Sequence, residues 1–362
     1  AAVIAPAISY DRANSLYGIL SEPAATNLLL YSRDFSTGWQ DSGTLTANYA
    51  VAPDGTQSAA RIVDSGAGGT GYVIARRAVT LAASTTYTIS AYIKQDQLTY
   101  AYIGTDSFTD GPITARFWVN LASGTIGTVQ TGWSNVSIVG LSDDWYRVSG
   151  QITTGSDTAG RIGIFGAEAD NTVLVNLDGT SSILIWGAQA ETGTVATSYV
   201  PTYAATATRA KDLVNILTSA FPYSASVSSW ISDSAAADNQ DTEQYVWATM
   251  PNANARVGLS GLGAGVVAFL MNGAVGGVSE NIGSISGFQR IKVGVAYQTD
   301  DAAAVMDGGT VGADATITPA ATDTSLYLGN HASSTRALNG YIYSITYLPR
   351  RMTNAELIAR TS

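Results

Sequence analysis

Residues 21–35 read SEPAATNLLLYSRDF. Three signals crowd into this stretch. Pro23 has no amide to donate, so the chain before it cannot run on as a paired central strand. Asn27 is a residue that bonds its own backbone and sets turns. Leu28-Leu29-Leu30-Tyr31 then form an unbroken apolar run. It is far shorter than the ~20 residues of a membrane span, and it lacks the alternation of a half-buried strand. The expectation is an arm that ends at Pro23, a turn at Asn27, and a first sandwich strand over Leu28–Leu30 covered on both faces.

The sequence around it has the rhythm of an all-β protein. TTYTISAYIKQ (85–95), ARFWVNLASGTIG (115–127), DDWYRVSGQITT (143–154), AGRIGIFGAEA (159–169) and SSILIWGAQAE (181–191) are β-rich runs separated by turn signals. A second series follows residue 218, including ASVSSWISDS (225–234), EQYVWATMPN (243–252), QRIKVGVAYQTD (289–300) and GYIYSITYLPR (340–350). Two segments read as helical. RAKDLVNIL (209–217) has room for a turn or two. TNAELIART (353–361) carries a capping box, Thr353 at the N-cap and Glu356 three residues on.

Composition narrows the function. Of 362 residues, 46% are apolar and 13% charged, enough to build sizeable cores and too little charge for a disordered chain. The net charge is −10 and only Lys94, Lys211 and Lys292 are lysines. Such a surface argues against binding nucleic acid, which takes Lys and Arg clusters, and against docking on anionic lipid. The absence of cysteine excludes disulfides, thiolate catalysis and Cys-ligated metals. The opening AAVIAPAISY lacks the basic segment of a secretory signal.

Catalytic signatures are sparse. His331, in LGNHASST, is the one histidine, and it reads as a loop residue. No Gly-x-Ser-x-Gly elbow or phosphate loop occurs. GLGAGVVAF (261–269) has glycines but no following helix, so a hairpin is the better reading. Glycoside hydrolysis needs two carboxylates across a bond. The six glutamates, at 22, 168, 191, 243, 280 and 356, are scattered, and the pairs Asp143-Asp144 and Asp300-Asp301 point to opposite faces if they lie on strands.

Sugar binding has better candidates. An aromatic platform beside amide or carboxylate groups suits the apolar face and hydroxyl rim of a sugar ring. In ARFWVNL, Phe117, Val119 and Leu121 share one face, while Arg116, Trp118 and Asn120 share the other. Trp118 between Arg116 and Asn120 is therefore a candidate platform, with Tyr100 and Tyr102 of YAYIGTDSF as neighbours. The competing reading buries Trp118 under a loop. Trp145 and Trp186 read as core, Trp39 and Trp133 lie near turns, and EQYVW puts Tyr245 and Trp247 on one inward face. Asp54, Asp170 and Asp178 stand in the loop phrases PDGT, EADN and LDGT. They are the candidate ligands for a structural calcium, although Asp-Gly turns are common without metal.

Three phrases carry a resemblance. GILSEPAATNLLLYSRDFSTGW (18–39), preceded by PAISYDR, resembles the opening of a carbohydrate-binding-module-like jelly roll of tailed-phage structural proteins. In those, Thr-Asn-Leu-Leu leads to Ser-x-Asp-Phe and a Trp. ILIWGAQAETGTVATSYVPTYAATATRAKD (183–212) is similar to the close of the same module. SLYLGNHASSTRALNGYIYSITYLPRRMTNAELIA (325–359) resembles the last strands and helix of a concanavalin-A-like, laminin-G-type sandwich. The resemblance implies two β-sandwich (jelly-roll) domains in tandem: an extended N-terminal arm (1–26), a jelly roll (27–201), a linker (202–218), and a laminin-G-type sandwich (219–362) ending in a short helix. It implies a phage or gene-transfer-agent virion protein, a head spike or a head or tail fibre, that binds host capsule or lipopolysaccharide; the sparse catalytic signatures make the expectation a non-catalytic one. A purely structural decoration protein and a polysaccharide depolymerase are the alternatives. Other virion proteins and copies of the same chain, as a trimer or pentamer, are the expected partners. The arm is expected to pack on the first domain and on a neighbouring chain, so that its deletion would leave both sandwiches folded.

Overall fold

The structure is a computed structural model. It describes residues 8–362 apart from 12–15, 112–113, 238–243, 251–254, 261–265, 273–276, 287, 320–322 and 331–336. The protein is all-β, with two sandwich units and, among the described residues, one α-helix, Asn354–Thr361. No helix among them is long and apolar enough to cross a membrane.

The units are nested in the chain rather than consecutive. One is Ala25–Arg209. The other is built from Ala1–Ala24 together with Ala210–Ser362. We call them the inserted and the split sandwich. Within the arm and linker expected at 1–26 and 202–218, Ile8–Asp11, Leu16–Ser21, Ala25–Asn27, Ala207–Arg209 and Val214–Leu217 are strands of sheets. Leu16–Ser21 is a strand that pairs with Gly340–Leu348, Ile19 opposite Ile342 and Leu20 opposite Tyr341. Ala207–Arg209 pairs with Ala25–Asn27, so the inserted sandwich begins and ends on adjacent antiparallel strands. Val214–Leu217, expected to be helical, is a strand on Ser325–Leu328. Its β-branched Val214 and Ile216 suit that pleated setting better than a helix.

The inserted sandwich has two six-stranded antiparallel sheets. One runs Thr125–Val129, Arg116–Asn120, Tyr100–Asp106, Ala159–Ala167, Val73–Thr80, Gln40–Ser42. The other runs Ser134–Gly140, Trp145–Thr153, Thr86–Gln95, Ser182–Thr192, Gln57–Val63, Thr44–Val51. Ile103, Phe117, Val119 and Ile164 of the first sheet meet Ile62, Ile89, Ile93 and Ile185 of the second in one core. Trp39 and Trp133 belong to that core. Trp145 and Trp186 are also buried, in a separate cluster with Leu184 and Ala59.

The opening phrase closes this unit. Leu28–Leu30 is not a strand. The Asn27 side-chain oxygen accepts from the Leu29 amide (3.0 Å), and Tyr31 then adopts φ of 50°, so the chain turns through residues 29–34. Leu29 alone of the three leucines drops fully into the core. Asn27 is itself fully buried. Its amide nitrogen reaches Ala188 O (3.0 Å), Val200 O (2.9 Å) and Ser32 Oγ (3.2 Å), while its oxygen also accepts from Ala190 N (3.2 Å). Thr202 donates to Leu29 O and to Ser32 Oγ (2.7 Å), and Tyr31 N donates to Tyr203 O (2.8 Å). The two phrases that resemble one module are thus bonded to each other.

A buried carboxylate completes the closing phrase. Glu191 accepts from Gln189 Nε2 (2.7 Å), Thr197 N (2.9 Å) and Thr197 Oγ1 (2.7 Å). Burial pushes its carboxyl above the ordinary range, against the downward pull of those hydrogen bonds. The folded state then holds this proton more tightly than the unfolded chain. Its stabilising effect is full below the ordinary glutamate value and is lost as pH rises through the raised value. In Glu191→Gln the amide oxygen still accepts and its nitrogen donates to Thr197 Oγ1. The expected outcome is an intact fold whose unfolding midpoint changes less with pH across that window, measured by denaturant titration. A steeper dependence in the variant would contradict the assignment.

The split sandwich has a seven-stranded sheet, in the order Ile8–Asp11, Leu16–Ser21, Gly340–Leu348, Ser228–Ala237, Phe288–Gln298, Asp301–Met306, Gly312–Asp314. Its six-stranded sheet runs Val214–Leu217, Ser325–Leu328, Gln244–Met250, Ala255–Ser260, Val266–Asn272, Gly277–Ser284. Trp230, Val293, Val295 and Ile342 face Trp247, Phe269, Leu326 and Leu328 across the core. A register shift between Tyr245 and Trp247 breaks the alternation there. Val246 and Trp247 enter the core, and Tyr245 packs instead with Ala248, so the expected shared face is not formed. The helix starts as its capping box requires: Glu356 N donates to Thr353 Oγ1 (3.2 Å) and Thr353 N to Glu356 Oε2 (2.8 Å).

Candidate functional site

The expected platform on Arg116–Asn120 has the right alternation and the wrong exposure. Trp118 and Tyr102 lie on the sheet face away from the core, yet both are completely buried. The loop after Ala167 folds over them. Trp118 Nε1 donates to Thr172 O (2.7 Å), Val173 packs alongside, and Tyr102 stacks on Phe165 at 4.4 Å. Arg116 lies over the Tyr102 ring at 5.9 Å, and burial pushes the Tyr102 phenol well above its ordinary value. Asn120 donates to Tyr100 Oη (2.9 Å) and uses its oxygen to hold the turn at Ala122 and Ser123. Arg116, Trp118, Asn120, Tyr100 and Tyr102 are therefore brought together, with Trp118 and Tyr102 covered and Tyr100, Arg116 and Asn120 half-buried.

Asp170 helps to hold that cover. Its carboxylate accepts from Thr128 N and Thr128 Oγ1, both at 2.8 Å. Asp54 accepts from Thr56 N (2.9 Å) and Thr56 Oγ1 (2.6 Å), and Asp178 from Thr180 N (2.9 Å) and Thr180 Oγ1 (2.6 Å). Each of these three aspartates serves its own turn or loop, and among the described residues no group of three His, Cys, Asp or Glu side chains could hold a metal ion. Asp143 and Asp144 sit in a short turn at φ of 56°. Asp301 is bonded to Arg351 (2.7 Å). His331 and residues 261–265 lie outside the described residues.

A second aromatic cluster lies on the outer face of the seven-stranded sheet of the split sandwich, where Tyr341 and Tyr343 are half-buried. Tyr341 and Tyr343 are two apart on one strand, so they share a face. Their rings are parallel within 4° with centroids 6.3 Å apart. Phe288, 45% exposed, meets Tyr341 edge-on at 6.3 Å. Arg290 lies over the Tyr343 ring at 5.3 Å and forks onto Asp233, with Nε–Oδ1 at 2.8 Å and Nη2–Oδ2 at 2.6 Å. Cross-strand register sets this out: Ala235 is opposite both Tyr341 and Arg290, a small residue between two large ones. Gly18 on the next strand makes room, since a Cβ there would stand 2.9 Å from the Tyr343 ring. The other part of this face is taken by the helix, through Leu357 on Ala296 and its neighbours.

This arrangement was not singled out from the sequence. Its signal is the spacing in YIYSITY, but the same strand also feeds the core. A register shift opposite Asp233 and Ser234 sends Ile342 and Ile345 inward while Tyr341 and Tyr343 stay outward. The split sandwich also contains an apolar cavity of about 650 Å³, lined by both sheets through Ile19, Ile216, Phe221, Trp230, Leu328 and Tyr347.

Fold and site together define an all-β protein of two sandwiches with an aromatic, ion-paired platform on one of them. No family model and no curated relative matches the sequence. Among solved structures the chain is similar to mouse laminin alpha1 chain, domains LG4-5, at 12% identity and TM-score 0.27, covering 87% of this chain and 95% of that one. It is similar to the N-terminal CBM22-1-CBM22-2 tandem domain of Paenibacillus barcinonensis Xyn10C at 10% identity and TM-score 0.27, covering 96% and 100%. Trypanosoma rangeli sialidase in complex with sialic acid matches at 10% identity and TM-score 0.30, over 90% of this chain and 55% of that one. Likeness at this level assigns no residue a role.

Proposed function

We propose that this protein binds polysaccharide without cleaving it, and that it does so on a virion surface, as a head spike or a head or tail fibre of a phage or gene transfer agent. Its ligand is host capsule or lipopolysaccharide met during adsorption. The observation that carries the binding reading is the platform of Phe288, Tyr341 and Tyr343 beside the Arg290–Asp233 fork. Flat rings stack on the C–H faces of sugars, and a guanidinium–carboxylate pair presents fixed polar groups to their hydroxyls. The virion setting rests on the likeness of residues 18–39 and 183–212 to phage modules. Assembly as a trimer or pentamer would multiply weak single contacts into firm attachment.

Purified capsule and lipopolysaccharide, titrated calorimetrically, test the reading. We expect binding that falls about tenfold or more, ~1.4 kcal/mol, for each of Tyr341→Ala and Tyr343→Ala, with unchanged thermal unfolding. Full affinity in both variants would move the site elsewhere. No binding at high protein concentration would leave the decoration role, and shortening of the polymer would make the protein a depolymerase.

A further inference from the structure

We infer that the platform selects an uncharged glycan, a run of neutral pyranose rings, over an acidic one carrying uronate, sialate or sulfate groups. The inference rests on the glycan-binding reading and adds a ligand class to it. Its ground is the charge state of the polar group beside the rings.

Arg290 is the cation at the platform, and Asp233 binds it through two oxygens at 2.8 and 2.6 Å. Lys292, opposite Asp233 in the register, directs its ammonium to the Ser362 carbonyl at 2.8 Å. Among the described residues both cations of this face are thus already engaged. The carboxylate differs. Its two oxygens have about four acceptor positions, of which the Arg290 fork fills two. A carboxylate only accepts, so the partners it favours are hydroxyl and amide hydrogens, and a ligand carboxylate or sulfate beside it is repelled. The whole chain, at −10, adds a long-range repulsion to any polyanion. The two tyrosine rings are parallel with centroids 6.3 Å apart on one strand, which gives the site an apolar part beside the ion pair.

The test titrates the full chain with neutral polymers (dextran, galactomannan, mannan) and acidic ones (alginate, polysialic acid, dextran sulfate), at low and at physiological salt. Neutral polymers should bind at least tenfold more tightly than acidic ones, with little salt dependence. Arg290→Gln removes one polar group of the site, so it should weaken neutral binding without reversing the neutral-over-acidic order. Asp233→Asn releases the guanidinium from its counter-charge, so it should shift the neutral-to-acidic ratio at least tenfold towards acidic polymers; thermal unfolding of each variant checks that it is folded. Tighter, salt-sensitive binding of an acidic polymer, abolished by Arg290→Gln, overturns the inference and leaves glycan binding standing. If neither class binds, the glycan-binding reading itself falls.

Discussion

A chain lacking residues 1–24 will lose the cooperative unfolding of the split sandwich, while residues 25–209 alone will fold. The first half follows from what Leu16–Ser21 does. It is not an edge ornament: it lies between Ile8–Asp11 and Gly340–Leu348 in the seven-stranded sheet. Ile19 packs on the core, and the fully buried Ser21 hydroxyl donates to Gly329 O at 2.7 Å. Removing it strips the hydrogen-bonding edge of Gly340–Leu348 and uncovers Ile342. A bare, β-branched edge of this kind is a template for aggregation. The second half follows from closure. The inserted sandwich has its own core, and its two ends are held together by Ala25–Asn27 on Ala207–Arg209, with Thr26 and Thr208 hydroxyls 2.8 Å apart. Differential scanning calorimetry of both shortened chains checks this. Two undisturbed transitions in the 1–24 deletion would refute the role of the strand, and an unfolded 25–209 would refute the autonomy of the insert.

Replacing Asn27 by leucine should be the most damaging single substitution in the inserted sandwich. The side chains are close in size, so the loss is one of hydrogen bonds. The carbonyls of Ala188 and Val200 and the amides of Leu29 and Ala190 would each lose a buried partner. Stranding one buried polar group costs about 1–3 kcal/mol. Partial relaxation leaves an expected loss of about 4 kcal/mol, a large part of the ~5–15 kcal/mol that holds a domain together. Asn27→Asp keeps the acceptor and loses both donors, so it should fall between. Denaturant titration should show the transition of residues 25–209 moving to lower denaturant while that of the split sandwich stays. A loss under about 1 kcal/mol for Asn27→Leu would mean that water or neighbouring groups replace the side chain.

Much of this architecture was legible along the chain. The strand runs, the core faces of Phe117 and Val119, and the capping box at Thr353 and Glu356 are local patterns, and each appears where period and spacing put it. Residues misread from the sequence failed for local reasons too. At Leu28–Leu30 a turn bond from Asn27 overrides an apolar run. At Tyr245–Trp247 a shifted register sends side chains to faces that alternation does not anticipate.

The two aromatic clusters mark the limit. Alternation places Trp118 on the face away from the core, and the structure agrees. Whether that face is open depends on residues 168–173, fifty positions later, which return to lie on it. Likewise Tyr341, Arg290 and Asp233 come from three strands, and only strand order makes them neighbours. Sequence alone determined the class of fold, because hydrophobic period and turn chemistry act over a few residues. The tertiary structure decided which strands belong to which sandwich and which aromatic rings are buried. Those depend on pairing between distant segments, and nothing in the local pattern of either partner encodes it.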